Sequence, residues 1–184
     1  ELKSVLDYKH QVLLSVAAGV GTEDLKSMLA DKGKILPPVF YVMPNTAVSV
    51  GSGMVLFTAS GASKDLQRQV SDLFSVTGET LYLEERLMES GMVLSGCGIA
   101  YAMRYIRAAV EGGVELGFYP HDALNIVLQT VKGAVDLLKN TKSHPEAEID
   151  KVTTPGGITI KGLNGMEHSG FTSAVIRGLK AGLK

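Results

Sequence analysis

Thr80-Leu81-Tyr82-Leu83-Glu84-Glu85-Arg86-Leu87 is where the chain changes character. Upstream, short apolar runs alternate with helical patterns. Thr80–Leu83 is the last of the predicted strands. Downstream, residues 84–141 carry helical spacing and hardly a strand candidate. Leu87, Val93, Leu94, Ile99, Met103, Ile106 and Val110 supply the apolar faces there. The reading is an α/β portion followed by an all-α portion, divided near Leu83–Glu84 into residues 1–83 and 84–184.

Working back from that junction, Val12–Val16 is a continuous apolar run suited to a buried parallel strand. Small residues, Ala17-Ala18-Gly19, follow it and let something approach the backbone. Thr22 is placed to cap a helix with Glu23 and Asp24 in its first turn and Leu25, Met28 and Leu29 inside. Val39–Val42 and Met54–Thr58 are further strands. Ser63 is placed to cap a helix carrying Leu66, Val70, Leu73 and Phe74 on its inner face. Gly51-Ser52-Gly53 runs straight into a strand, so no G-x-G-x-x-G follows a strand in this sequence.

Working forward, glycines and small residues are frequent between Gly91 and Ala102. Each helical glycine costs about 1 kcal/mol relative to alanine, which argues for close helix approach or ligand contact. Gly112-Gly113 and Gly117 are expected to interrupt the helix. Pro120 and Asp122 open another, with Leu124, Val127, Leu128, Val131, Val135 and Leu138 inside and His144-Pro145 as its end. Helical segments near 157–167 and 169–183 complete the chain. The surplus of apolar and small residues in this half predicts burial against a second copy.

Composition narrows the function. The chain has 184 residues, is 45% hydrophobic and 20% charged, and carries a net charge of −1. Such a balance gives no general attraction for nucleic acid or an anionic membrane. The apolar runs are shorter than the roughly 18 residues of a membrane helix. One cysteine, Cys97, rules out an intrachain disulfide framework and fits a reducing, cytoplasmic setting. It is expected to be a buried, inert thiol. His10, His121, His144 and His168 are scattered without ligand spacing, so no metal site is expected. Glu1-Leu2-Lys3-Ser4 shows neither an initiator Met nor a signal-peptide core, and reads as a start part-way through something longer.

Thr153-Thr154-Pro155-Gly156-Gly157-Ile158-Thr159 is the stretch richest in chemistry. Proline presets φ, and the two glycines allow a turn where a Cβ would clash. The amides that follow open a helix and favour an anion, with Thr154 and Thr159 as neutral donors. The alternatives are a site for a small carboxylate or phosphate and a threonine-capped glycine turn.

Four blocks resemble the pyrroline-5-carboxylate reductase family: Ser15–Val20, Met43-Pro44-Asn45-Thr46, Leu94–Tyr101 and Val152–Thr159. Glu167-His168-Ser169-Gly170-Phe171 also looks like the family's end. The resemblance implies the late part of a Rossmann-type NAD(P)-binding domain, incomplete at its N-terminus, and a C-terminal helical dimerisation domain. It implies NADP- or NAD-dependent reduction of 1-pyrroline-5-carboxylate to L-proline, the last step of proline biosynthesis. A homodimer, often assembled into a ring of dimers, goes with it.

By the same resemblance Ala17, Ala18, Met43, Asn45 and Lys151 lie against the cofactor. Glu85, Thr154, Gly156, Gly157, Ile158 and Thr159 bind substrate, with Thr159 the catalytic candidate. A protonated imine is already electrophilic, so positioning carries most of the catalysis. On residue type alone, Glu85 either stabilises the iminium charge or is a solvated first-turn glutamate. Asn45 either bonds the cofactor or closes an Asx turn. Tyr101 and Tyr105 share a helical face and are expected in core or interface. The sequence departs from the family pattern at Cys97, Ile99, Ala47 and Lys151. Two other readings remain: a reductase of another small carboxylate imine, and a non-catalytic dimerisation and substrate-loop fragment.

Overall fold

The computed structural model describes residues 5–30 and 35–183; Glu1–Ser4, the start considered above, lies outside them. The chain separates into two compact units, one running to Ile99 and the other from Ala100 to Gly182.

The first unit is built on a four-stranded sheet in the order β1-β2-β3-β4. Its strands are β1 (Leu13–Ser15), β2 (Val39–Pro44), β3 (Gly53–Ser60) and β4 (Gly78–Tyr82). β1 pairs parallel to β2 and β3 parallel to β4, while β2 and β3 are antiparallel. The antiparallel step follows from its short connection, a single 3-10 turn at Thr46–Val50. A parallel return needs a crossover of a dozen or more residues, usually a helix. Helix α2 (Lys64–Ser75) provides such a crossover between β3 and β4.

Strand alternation distributes the core. Phe40, Val42, Val55 and Phe57 pack with Val70 of α2 on one face. Val39 meets Leu25 and Leu29 of α1 (Thr22–Leu29) on the other. On that same face Tyr41 and Leu56 bury Met88, the first residue of α3 (Met88–Met92). Gly91 lets α3 sit tight on the sheet, because a Cβ there would stand 2.6 Å from Leu56 Cδ1.

Two helix readings need correction. α1 is capped by Gly21, not Thr22, whose hydroxyl is committed elsewhere. Met28 and Leu73, expected inside, are 61% and 63% exposed. Leu25 and Leu29, four apart, complete the inner stripe of α1 without Met28. Val70 is the buried residue of α2, flanked by Leu66 and Phe74. Ser63 caps α2 as expected, its Oγ accepting from Leu66 N at 3.2 Å.

After α3, Val93–Cys97 forms a π turn and α4 (Gly98–Glu115) follows. Gly112-Gly113 do not interrupt α4; the chain turns at Gly117, at φ 100°. α5 (Pro120–Thr141) ends at Lys142, in the left-handed region at φ 53°. Pro145 then opens an unexpected short helix, α6 (Pro145–Lys151), with His144 as its cap. Proline's fixed φ suits a first helical position as well as it suits a stop. α7 (Ile158–His168) and α8 (Phe171–Ala181) close the chain.

Ala123 is the single buried position among the described residues of the second unit. Leu124, Leu128 and Val135, expected inside, are 41%, 45% and 50% exposed. Tyr101, Tyr105, Ala109, Phe171, Ala174 and Gly178 line an apolar groove of about 560 Å³ in this unit. Tyr105 and Phe171 meet edge to face at 6.4 Å.

Candidate functional site

The loop between β1 and α1 leaves the sheet at the carboxyl end of β1. β2 runs parallel beside it, so the segment from Met43 leaves by the same edge. Ligands of open α/β sheets lie outside strand carboxyl ends. Ala17 and Ala18 are exposed there, and their small side chains leave the backbone approachable.

That loop is anchored along its length. Ser15 Oγ accepts from Ala17 N at 3.3 Å, and Tyr41 Oη accepts from Gly19 N at 3.2 Å. At the far end Thr22 N donates to Glu85 Oε1 at 2.6 Å, and Thr22 Oγ1 donates to Glu85 Oε2. Thr22 is 2% exposed, whereas Glu85 lies at the surface in a 3-10 turn ahead of α3. Glu85 thus caps the start of α1 from across the fold, where a negative charge is favoured. It is not a solvated glutamate without partners. Gly21 makes room for the contact: a Cβ there would stand 2.6 Å from Glu85 Oε1.

Asn45 is buried and makes three side-chain hydrogen bonds. Its Oδ1 accepts from Ala47 N at 3.2 Å and Met54 N at 3.3 Å. Its Nδ2 donates to Ser95 O, in the π turn, at 3.2 Å. The bond to Ala47 is the Asx turn, one of the two readings of this residue. One Nδ2 hydrogen remains for another partner. Ser95 Oγ donates back to Gly91 O at 2.9 Å. π turns in helices occur often at functional sites. Cys97, expected buried, is half-covered because it stands on this turn.

In the second unit Gly156 takes φ 69°, and Gly157 N donates to Thr154 O at 3.0 Å. A Cβ on Gly157 would stand 2.5 Å from Thr154 Oγ1, so this turn requires glycine at both positions. α7 begins directly afterwards, and no side chain caps it. Its first amides therefore have no intrahelical partner. Thr154 and Thr159 are exposed, and neither hydroxyl bonds to another described residue. Ile158 is 88% exposed. Lys151 Nζ is held by Glu148 Oε1 at 2.7 Å. That bond and one from Ser143 Oγ hold the Glu148 carboxyl below its ordinary value of 4.5.

The residues present fit part of a dinucleotide. The first unit offers an anchored, small-residue loop at a sheet edge, but the described residues hold no glycine-rich phosphate loop. The bridges from Tyr41 and Glu85 were not legible in the sequence: they join residues 22 and 63 positions apart and carry no local pattern. The π turn had a weak signal, the helix-poor run Ser95-Gly96-Cys97-Gly98.

A Rossmann-type α/β portion followed by a helical portion defines the class. Residues 85–184 match the family model described as pyrroline-5-carboxylate reductase dimerisation. The chain belongs to the pyrroline-5-carboxylate reductase family. It is 40% identical to pyrroline-5-carboxylate reductase 1 of Dictyostelium discoideum over 93% of this chain and 32% of the relative. It is 38% identical to the Aquifex aeolicus pyrroline-5-carboxylate reductase over 95% of this chain and 64% of the relative. The chain thus spans less than two thirds of the length of these curated relatives. Among solved structures, that of a Coxiella burnetii pyrroline-5-carboxylate reductase matches with a TM-score of 0.90 at 27% identity, over 98% of this chain and 66% of its own. The Plasmodium falciparum pyrroline carboxylate reductase with NADP bound matches at 0.85 and 28%, over 95% and 69%.

Proposed function

We propose that the protein reduces 1-pyrroline-5-carboxylate to L-proline with NADPH or NADH. The observation that carries this reading is the start of α7. A family member presents there an uncapped helix N-terminus, a Pro-Gly-Gly turn and two unengaged threonine hydroxyls. Neutral donors at a helix N-terminus suit a small carboxylate. The amides of Ile158 and Thr159 and the hydroxyls of Thr154 and Thr159 hold the substrate carboxylate. Gly156 and Gly157 keep that approach free of side chains. Thr159 fixes the ring by its acid group, and orientation supplies most of the catalysis. Asn45, Met43 and the Ala17-Ala18 loop form the dinucleotide side. When bound, the dinucleotide supplies the hydride. Lys151 orders the approach to the turn through Glu148.

The reading extends to assembly. The helical unit leaves Leu124, Leu128, Val135 and Leu137 at least 41% exposed, and a second copy covers them in a homodimer, from which a ring of dimers is built. Among the described residues no helix is long and apolar enough to cross a membrane. A reducing cytoplasm suits the lone Cys97, and the net charge of −1 does not favour nucleic acid as a partner.

The test is dinucleotide oxidation by the purified protein with pyrroline-5-carboxylate and with other cyclic imine acids. Thr159→Ala is expected to raise KM for the imine about tenfold, with KM for the dinucleotide unchanged. Unchanged turnover and affinity in that variant overturn the assignment of the turn. Preference for another imine acid overturns the substrate and keeps the turn.

A further inference from the structure

The structure makes unequal use of the loop that leaves β1. Its residues Ala17 and Ala18 present methyl groups, while its backbone is fixed by side chains from elsewhere. Tyr41 reaches Gly19 N from β2 at 3.2 Å, and Glu85 takes the amide and the hydroxyl of Thr22 from the turn ahead of α3. Both oxygens of the Glu85 carboxylate are engaged in this way. Thr22 is 2% exposed and has no other side-chain bond, so loss of Glu85 strands two buried donors.

We propose that Tyr41 and Glu85 are positioning residues for the dinucleotide, acting on the Ala17–Val20 loop through Gly19 and Thr22, and that Glu85 does not contact the imine. This rests on the reading of that loop as the dinucleotide side. It departs from the resemblance, which puts Glu85 among the substrate residues. The geometry favours the new assignment. An acceptor with each oxygen bound to a buried donor is fixed in place, and what it fixes is the start of α1 and the loop before it. Burying one face of Tyr41 against Leu56 and Met88 makes its hydroxyl a fixed acceptor as well.

Steady-state kinetics of the purified protein separate the possibilities. Tyr41→Phe, Thr22→Val and Glu85→Gln are each expected to raise KM for NAD(P)H by about tenfold. KM for the imine should stay within about twofold, as only the loop is loosened. Thr22→Ser, which keeps the hydroxyl, should restore the dinucleotide KM. Glu85→Gln keeps an acceptor oxygen for Thr22 and Tyr41→Phe keeps the buried ring, so both variants are expected to fold, which a thermal melt of each checks. A rise in imine KM in Glu85→Gln, with the dinucleotide KM unchanged, overturns the proposal. So does wild-type behaviour in both Tyr41→Phe and Thr22→Val. If the wild type turns over the imine but the variants behave in these ways, only this assignment falls. If the wild type binds no dinucleotide, the reading of the loop falls with it.

Discussion

Thr22 gives both its amide and its hydroxyl to the carboxylate of Glu85, 63 residues further along the chain. The contact joins the start of α1 to the turn before α3, two helices that share one face of the sheet. Gly21 is its third member by virtue of having no side chain. Gly21→Ala would place a Cβ against Glu85 Oε1, the far end of a flexible side chain, so the glutamate swings away and the backbone stays. Two buried donors then lose their acceptor. The expected loss of stability is about 1–3 kcal/mol, read as a lower denaturant midpoint with an unchanged slope. Double substitution with Glu85→Ala should add little, because the two changes break the same bonds. Additive losses would show that Gly21 serves something else.

Asn45 ties three segments together: the turn at Ala47, the start of β3 at Met54 and the π turn at Ser95. Asn45→Asp keeps the acceptor for the two amides but replaces the Nδ2 donor with a charged oxygen facing the Ser95 carbonyl. Repulsion at a buried site follows. The variant should be destabilised by about 2 kcal/mol or more at neutral pH and recover in part as the new carboxyl is protonated in acid. Denaturant melts at two pH values check this. Equal loss at both would mean that the Ser95 contact contributes little.

Much of the fold was legible because its signals are local. The four strands, the cap at Ser63 and the helix starts at Pro120 and Ile158 each rest on a few consecutive residues. Met28 and Leu73 were misplaced because an apolar residue at helical spacing does not reveal how wide the covered stripe is. His144-Pro145 gives a stop signal after a long helix, although proline suits a helix start equally. In the site, the Pro-Gly-Gly turn announced itself through residues whose backbone demands are specific. The ties of Asn45, Tyr41 and Glu85 depend on which distant segments the sheet brings together, and periodicity holds no record of that.

Glu148 accepts hydrogen bonds from Lys151 and Ser143. The lysine bond is the largest reason that its carboxyl stays below the ordinary 4.5. A depressed folded value means that these contacts stabilise the fold fully above the unfolded value. That stabilisation is lost as pH falls through the lower folded value. Carboxyl NMR should therefore place the Glu148 titration below 4.5, and Lys151→Met should move it upward. No upward movement would mean that the hydroxyls of Ser143 and Thr141 hold the charge without the lysine. Since α6 leads into the Thr154–Thr159 turn, the same variant tests whether the turn's order depends on this pair. Loosened amide protection at Ile158 and Thr159 is the expected companion effect.

Val135 stands on α5 with half of its surface open to solvent. In an isolated chain a charged residue at such a position is nearly neutral, within about 0.5 kcal/mol. If a second copy covers α5, the same substitution buries a charge without a partner and separates the subunits. Val135→Glu therefore distinguishes the two states sharply. Sedimentation at micromolar concentration should show the wild type as a dimer or larger and the variant as a smaller species with increased exposure of apolar surface. Val16, 65% exposed and in the first unit, is a matched control at which glutamate should leave the assembly intact. If both variants sediment like the wild type, the open faces of α5 belong to some surface other than the subunit contact. A monomeric wild type would remove the second copy from the account of why so few residues in the helical unit are buried.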